Sequence, residues 1–167
     1  MIDITFFVPC YNEAENVTGT LKMIKTLMQG RPHQYEIVVV DDGSSDDTTD
    51  VIQSYCRSNP QEPIVTYRNP VNLGLGRNYF LCAKKSRGRY YILINGDNDT
   101  SIHDFRVILD QLGKADMIVP YVVNQEERPL FVSALSYSQT DPLSGVLTTH
   151  CLSQDALHFF EEGVNHF

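Results

Sequence analysis

The stretch that most constrains the fold of this chain is YYILINGDNDT, residues 90–100. Five consecutive strand-forming residues, 90–94, lead directly into Asp97 and Asp99. A strand that is apolar at every position is typical of a parallel sheet buried on both faces. Open sheets of this kind bind ligands beyond the carboxyl ends of their strands. We therefore predict that Asp97 and Asp99 hold a divalent cation, which in turn binds a diphosphate.

Composition limits the class of protein. A length of 167 residues is typical of one domain, and the net charge of -8 argues against a protein that coats nucleic acid. One basic cluster, KKSRGR, nevertheless occupies residues 84–89. Residues 1–8 lack the features of a signal peptide, and no stretch reaches the ~20 apolar residues of a membrane span. We expect a cytoplasmic protein with reduced cysteines, whose membrane contact is at most peripheral.

The hydrophobic pattern alternates between strand and helix periods. Strands are predicted at residues 2–8, 35–40, 64–67, 90–94 and 116–121, and helices at 12–28, 47–57, 77–85 and 101–112. Pro9 should end the first strand, while Asn12 and Glu15 should cap the first helix. Beyond residue 121 the pattern weakens to an edge strand at 146–149 and a helix at 153–162. This alternation predicts an α/β protein with right-handed crossovers and a mainly parallel sheet.

Four loops follow the carboxyl ends of the predicted strands: residues 9–13, 41–45, 69–77 and 95–99. Because parallel strands end at the same edge of a sheet, these loops should converge on one site. Two aspartates in a loop are often only solvated turn or cap residues, but a position after a buried strand favours a functional role.

Each remaining loop has a functional and a structural interpretation. A base could stack on Tyr11, or the first loop could simply begin a helix. Asp41 and Asp42 could accept hydrogen bonds from a nucleobase or a ribose, or they could form an Asx turn and a helix cap. Arg77 and the glycines before it could approach phosphates, although the pattern is not a Walker A motif. The chain has no G-x-S-x-G elbow, and its histidines lack metal-ligand spacing.

The motifs VPCYNEAEN, EIVVVDDGSSDDT, NLGLGRN and YYILINGDND resemble, in this order, the nucleotide-binding half of family 2 glycosyltransferases of the GT-A type. They are similar in style to polyprenyl-phosphate enzymes of the dolichyl-phosphate mannose synthase kind. The resemblance covers residues 2–129 and implies a three-layer α/β/α, Rossmann-like GT-A fold. It also implies one domain over 1–167, with a nucleotide-sugar-binding half at 1–121 and a reduced acceptor half at 122–167.

By this resemblance, the first two loops bind the nucleoside of the donor. Pro9, Tyr11 and Glu13 would frame the nucleoside. Asp42 would contact the base, and Asp41 would support Asp42. These roles are implied by the matching positions of the family motifs, and the residues alone leave the structural interpretation open.

By the same resemblance, the other two loops bind the diphosphate and the cation. Gly74 and Arg77 match the loop near the sugar nucleotide. Asp97 and Asp99 fall on the DXD motif, which binds Mg²⁺ or Mn²⁺ with the diphosphate of a UDP- or GDP-sugar. Family members invert the anomeric centre by direct displacement, so the cation would stabilise the departing nucleoside diphosphate.

The acceptor implied by the resemblance is a polyprenyl phosphate or another membrane-linked lipid, at the inner face of a membrane. A lipid phosphate is already ionised, whereas a sugar hydroxyl needs a general base. Asp141 is the candidate catalytic base, and Glu126 and Glu127 stay open as alternatives. Arg128 matches a basic position in relatives and could bind a phosphate.

Two other functions remain open. The compressed segment at residues 130–152 is compatible with a nucleotide-sugar-binding module that lacks transferase activity and needs a partner chain. A sugar nucleotidyltransferase shares the fold, but it carries a glycine-rich, lysine-bearing loop where this chain has VPCYNEAEN.

Overall fold

A computed structural model describes residues 1–98, 101–115, 117–118 and 151–153. The strands are β1 (Ile4–Cys10), β2 (Tyr35–Asp41), β3 (Ile64–Arg68), β4 (Tyr90–Leu93), β5 (Met117–Ile118) and β6 (Cys151–Ser153). The helices are α1 (Val17–Met28), α2 (Thr48–Ser58), α3 (Leu75–Ala83) and α4 (Ile102–Leu109). Within the described ranges, none of the helices has both the length and the apolar character needed to cross a bilayer.

The strands form one sheet in the order β3-β2-β1-β4-β6-β5. Strand β1 pairs in parallel with β2 and β4, and β2 pairs in parallel with β3. Strand β6 is antiparallel to both β4 and β5, so β5 runs in the same direction as the first four strands. The predicted mainly parallel sheet is confirmed.

Helices cover both faces of the sheet, which confirms the three-layer α/β/α arrangement. Alternate side chains of a strand point to opposite faces, so Phe6 and Phe7 enter two different cores. Phe6 packs in the larger core with residues of α1, α2 and α4. Phe7 packs in the smaller core with Tyr91 and residues of α3. The apolar runs predicted as buried strands are therefore buried from both sides.

The first strand and the first helix differ from the prediction. Strand β1 continues through Pro9 to Cys10, because Pro9 keeps its carbonyl for pairing and accepts from Gly96 N at 3.1 Å. The predicted cap by Asn12 and Glu15 is wrong, since α1 begins at Val17. Asn12 instead adopts the left-handed region with φ of 57°, which asparagine tolerates well.

The carboxyl-terminal predictions are tested only in part. The edge strand at 146–149 lies outside the described residues, as does the helix at 153–162 apart from Ser153. Ser153 ends a strand, so the helix does not begin there. Strand β6 was not predicted, because three residues carry no usable periodicity. It inserts between β4 and β5 through backbone pairing with both.

A buried carboxylate stabilises the sheet at the edge opposite to the four loops. Glu36 lies near the start of β2 and accepts hydrogen bonds from Thr5 Oγ1 at 2.7 Å and Arg87 N at 2.8 Å. The Arg87 guanidinium contacts it at 2.5 and 2.7 Å. Burial raises the pKa of Glu36, but these hydrogen bonds and the Arg87 charge outweigh burial and hold it below its ordinary value. The contacts join the start of β4 to β1 and β2.

We expect Glu36→Gln to remove part of the acid sensitivity of folding. Because the pKa of Glu36 is lower in the folded chain, its contribution is fully present above its ordinary value of 4.5 and is lost as the pH falls. The free energy of unfolding, measured by urea denaturation between about pH 6 and about pH 3, should therefore decline less steeply in Glu36→Gln than in the wild type. Asp110→Asn, which removes one charge from an exposed pair with Arg31, is the control. An equal change of slope in both variants would contradict the assignment.

Candidate functional site

Hydrogen bonds join the first two strand-end loops. Asn12 N donates to Ser44 Oγ at 2.9 Å, and Ser45 N donates back to Asn12 Oδ1 at 2.9 Å. Glu13 N donates to Thr48 Oγ1 at 2.8 Å, at the start of α2. Asn12, whose backbone is left-handed, contacts the second loop through both its N–H and its side chain. The loops after β1 and β2 therefore form one unit.

Asp42 joins the second loop to the third. Its Oδ1 accepts from Asn69 Nδ2 at 2.7 Å and from Leu73 N at 2.9 Å, and its Oδ2 accepts from Gly74 N at 2.9 Å. Gly43 lies against the same loop, where a Cβ would stand 2.6 Å from the carbonyl carbon of Val71. Its φ of 75° also favours glycine.

The charge of Asp42 is stabilised by this network. Burial raises the pKa of Asp42, but hydrogen bonds from Leu73, Asn78, Asn69 and Gly74 lower it further than burial raises it. The carboxylate is therefore ionised at neutral pH. These four donors match the about four acceptor sites that two carboxylate oxygens offer, so a donor group of a ligand would share or replace one of these contacts.

The carboxylate of Asp41 accepts hydrogen bonds from its own loop and from helix α2. Its Oδ1 accepts from Ser44 N at 2.9 Å, and its Oδ2 accepts from the Thr49 hydroxyl. Arg68 Nε lies 3.7 Å from the same Oδ2. Asp41 is buried, and its contacts hold the turn that positions Asp42.

The fourth loop packs against the first through glycine. A Cβ on Gly96 would lie 2.8 Å from Cys10 Sγ and 2.9 Å from Pro9 O. The Gly96 carbonyl accepts from Thr20 Oγ1 at 3.2 Å, which fixes the loop to α1. All four loops thus meet at one edge of the sheet, as predicted from the strand ends.

The convergence leaves three candidate side chains exposed on this edge. They are the ring of Tyr11, which is 50% exposed, the guanidinium of Arg77 and the carboxylate of Asp97. Glu13 is half-buried and accepts from Asn16 Nδ2 at 2.9 Å. Gly74 precedes α3 with φ of 85°. Asp99, Arg128 and Asp141 lie outside the described residues.

The Cys10 thiol shows that this edge is acidic. Burial raises the pKa of Cys10, and four nearby carboxylates raise it further: those of Glu13, Asp41, Asp46 and Asp97. The thiol therefore stays protonated, and Cys10 is not a nucleophile. Negative potential of this kind attracts a cation and opposes an unaccompanied anion.

The described residues contain no group of three or more His, Cys, Asp and Glu side chains close enough to hold a metal ion. Asp97 is the exposed oxygen donor of the predicted pair, and Asp99 is not described. Magnesium is commonly held by one or two carboxylates together with substrate phosphates, so a single aspartate pair suits it. The chemistry of the site, hard oxygen donors on an acidic edge, fits Mg²⁺ or Mn²⁺.

Sequence reasoning missed four polar residues that build the edge. They are Ser44, Thr48, Asn69 and Asn78: the first three connect loops that are distant in the chain, and Asn78 Oδ1 accepts from Asn69 Nδ2 at 2.7 Å. The Asn-Pro step at residues 69–70 was a turn signal that could have drawn attention to Asn69. Ser44 and Thr48 have no comparable local signal, since their partners lie 32 and 35 residues away.

Two solved structures that share this architecture are a glucosyl-3-phosphoglycerate synthase and a mannosyltransferase. Glucosyl-3-phosphoglycerate synthase of Mycobacterium tuberculosis, solved with Mn²⁺, UDP and phosphoglyceric acid, matches 92% of this chain and 56% of its own at a TM-score of 0.61 and 18% identity. A mannosyltransferase of Pyrobaculum calidifontis, solved with GDP-mannose and Mn²⁺, matches 70% of this chain and 34% of its own, at a TM-score of 0.57 and 21% identity. The architecture is therefore the GT-A fold.

The family model for glycosyl transferase family 2 matches residues 5–147, so the chain belongs to that family. A dolichyl-phosphate beta-glucosyltransferase of Trichomonas vaginalis is 32% identical over 106 residues, which are 60% of this chain and 31% of that protein. The chain spans about a third of the length of the curated relatives it matches. The resemblance drawn from the four motifs is confirmed at the level of family and fold.

Proposed function

We propose that this chain binds a nucleoside-diphosphate sugar and acts in metal-dependent, inverting transfer of the sugar to a polyprenyl phosphate or another membrane-linked lipid. The observation that carries the proposal is the convergence of four strand-end loops, which leaves Tyr11, Arg77 and Asp97 exposed on one edge. Relatives named for dolichyl phosphate support the lipid acceptor, and neighbours solved with UDP or GDP-mannose support the donor.

The nucleoside lies against the first two loops in this proposal. Tyr11 offers an exposed ring for stacking, with Pro9 near the end of β1 before it and Glu13 in the loop after it. In this proposal Asp42 receives an N–H of the base or a hydroxyl of the ribose, while Asp41 holds the turn. Because uracil and guanine both offer such donors, both nucleotides belong in the test.

The diphosphate lies near Gly74 and Arg77 and meets the acidic edge. Arg77 is suited to a phosphate because its guanidinium offers several fixed donors. Asp97 and Asp99 would hold Mg²⁺ or Mn²⁺, which stabilises the negative charge of the departing nucleoside diphosphate. The carboxylates around Cys10 would otherwise repel that polyanion.

We expect Asp97→Asn to weaken cation-dependent nucleotide binding by at least about tenfold, because it removes one of two charged ligands of the cation. Calorimetric titration of UDP and of GDP, in Mn²⁺ and in chelator, measures the effect. The control is Asp110→Asn, an equal charge change at the far end of α4. Wild-type chain that binds neither nucleotide in Mn²⁺ would overturn the proposal.

Transfer is tested separately from binding. The chain is incubated with a UDP- or GDP-sugar and a polyprenyl phosphate, and the lipid-linked sugar and its anomeric configuration are measured. Inverted product on the lipid phosphate supports direct displacement by an acceptor that needs no general base, and Arg128 is the residue proposed to bind that phosphate. Transfer only to a sugar hydroxyl would favour a base such as Asp141. Binding without any product would instead favour the nucleotide-sugar-binding module.

A further inference from the structure

Charge is distributed very unevenly along this chain. Residues 63–96 contain six of the thirteen Lys and Arg residues and none of the 21 Asp and Glu residues. The rest of the chain therefore carries seven basic residues against 21 acidic ones. Interactions between exposed charges fade beyond a Debye length of ~10 Å, so a basic surface can act locally on an acidic protein.

Strand β3 and the outer face of α3 place part of this segment on one surface. Val65 and Tyr67 stand opposite Val38 and Val40 in the sheet register, on the side of the sheet that α3 covers. Four apolar side chains on this surface are 37–43% exposed: Val65, Tyr67, Phe80 and Leu81. Lys84 and Lys85, both exposed, follow them directly after α3. We call these six residues the α3 surface.

The α3 surface is continuous between the helix and the strand. Lys85 Nζ lies 4.5 Å from the centroid of the Tyr67 ring, which connects the end of α3 to β3. Phe80 precedes Lys84 by four residues, and Leu81 precedes Lys85 by four, so each apolar side chain has a lysine one helical turn away. Apolar side chains and ammonium groups thus lie close together at the carboxyl end of α3, and the contact between Lys85 and Tyr67 extends this surface to β3.

We propose that the α3 surface docks the protein on an anionic lipid bilayer. Lysines beside exposed aromatic and aliphatic side chains suit an interface where apolar groups enter the acyl boundary and ammonium groups reach the headgroups. A nucleic acid would use the lysines but would gain nothing from Leu81 or Val65. Lysine is depleted in protein–protein interfaces, which disfavours a protein partner.

The location of the α3 surface is compatible with access to the candidate site. Helix α3 begins after Gly74, at the edge where the four loops meet, and runs along one face of the sheet. Docking through its outer face does not use Tyr11 or Asp97, so it leaves the candidate site open. The proposal does not depend on nucleotide binding, and its test contains no nucleotide.

The test is cosedimentation of the full chain with phosphatidylcholine vesicles that do or do not contain about 30% phosphatidylserine. We expect binding to the anionic vesicles only, weakened by salt. Lys84→Gln/Lys85→Gln should lower the partition coefficient by about thirtyfold, at roughly fivefold per lysine near an anionic surface. Phe80→Ser/Leu81→Ser should lower it by about tenfold, since both side chains lose apolar contact.

The matched control is Lys22→Gln/Lys114→Gln, which removes two exposed lysines from the part of the chain that packs on the other face of the sheet. Circular dichroism melting checks that all variants fold. An equal loss in the control, or no wild-type binding to anionic vesicles, would overturn the proposal. Two other results would also overturn it: vesicle binding that Phe80→Ser/Leu81→Ser does not change, and tighter binding to a single-stranded RNA homopolymer at the same salt. In either case the lysines alone would account for binding, as they would for a polyanion partner.

Discussion

Asp42→Ala is expected to lower the free energy of unfolding by about 3 kcal/mol and to reduce nucleotide binding below detection. The substitution removes three hydrogen bonds to a buried, ionised carboxylate and leaves the N–H of Leu73 without its acceptor, while Gly74 N keeps only its hydrogen bond to Asn72 Oδ1. Hydrogen bonds to charged groups contribute more than neutral ones, so the loss exceeds that of an ordinary loop contact. The third loop then loses its link to the second.

Urea denaturation and calorimetric titration of UDP and GDP in Mn²⁺ measure the two effects of Asp42→Ala. The control is Asp47→Ala, which removes an exposed carboxylate of the same segment that makes no capping hydrogen bond. It should cost well under ~1 kcal/mol and leave binding intact. If Asp42→Ala does not fold, Asp42→Asn keeps the shape of the side chain and should still weaken binding. Wild-type affinity in a folded Asp42 variant would contradict the role given to this carboxylate.

Gly88→Ala is expected to destabilise the chain by about 3 kcal/mol or more. A Cβ at residue 88 would stand 2.3 Å from Thr5 N and 2.6 Å from the carbonyl carbon of Ile4. Those atoms belong to β1, which is paired on both sides by β2 and β4. The strand cannot shift without losing pairing, so the clash is not relieved by a side-chain rotation.

Thermal or urea denaturation, with soluble yield as a second readout, measures the effect of Gly88→Ala. Gly76→Ala is the matched control, because a Cβ there meets nothing within 4 Å and the residue is exposed on α3. Alanine favours a helix over glycine, so this control should keep or raise stability by up to about 1 kcal/mol. Equal stability of the Gly88→Ala and Gly76→Ala variants would show that β1 can yield at this point.

The main elements could be predicted from the sequence because their hydrophobic periods are local. Residues 37–40 and 90–94 are apolar throughout, which requires burial on both faces, and the structure buries both runs. The start of α1 was wrong because the pattern of a capping box is present but Asn12 makes a longer-range contact with Ser45. Strand β6 was missed because its pairing partners, and not its own three residues, decide its conformation.

The candidate site was predictable as a location, while its internal contacts were not. The strand-end positions of Tyr11, Asp42 and Asp97 followed from the order of elements and the direction of parallel strands. That Asp42 organises the third loop, while Tyr11 stays exposed, depends on contacts across more than thirty residues of chain. Nothing in the local pattern distinguishes a carboxylate that binds a ligand from one that binds its own backbone.

The sequence by itself determined the alternation of strands and helices, the two-sided burial of the sheet and the four motifs of a family 2 glycosyltransferase. These features depend on residue type and local spacing, which the chain carries directly. Only the tertiary structure decided which polar groups are already satisfied, where glycine is required by close approach, and that the basic segment joins β3 to α3 through Lys85 and Tyr67. Those features arise from packing between segments that are distant in the chain. No local run of residues specifies such contacts, so they appear only in the folded protein.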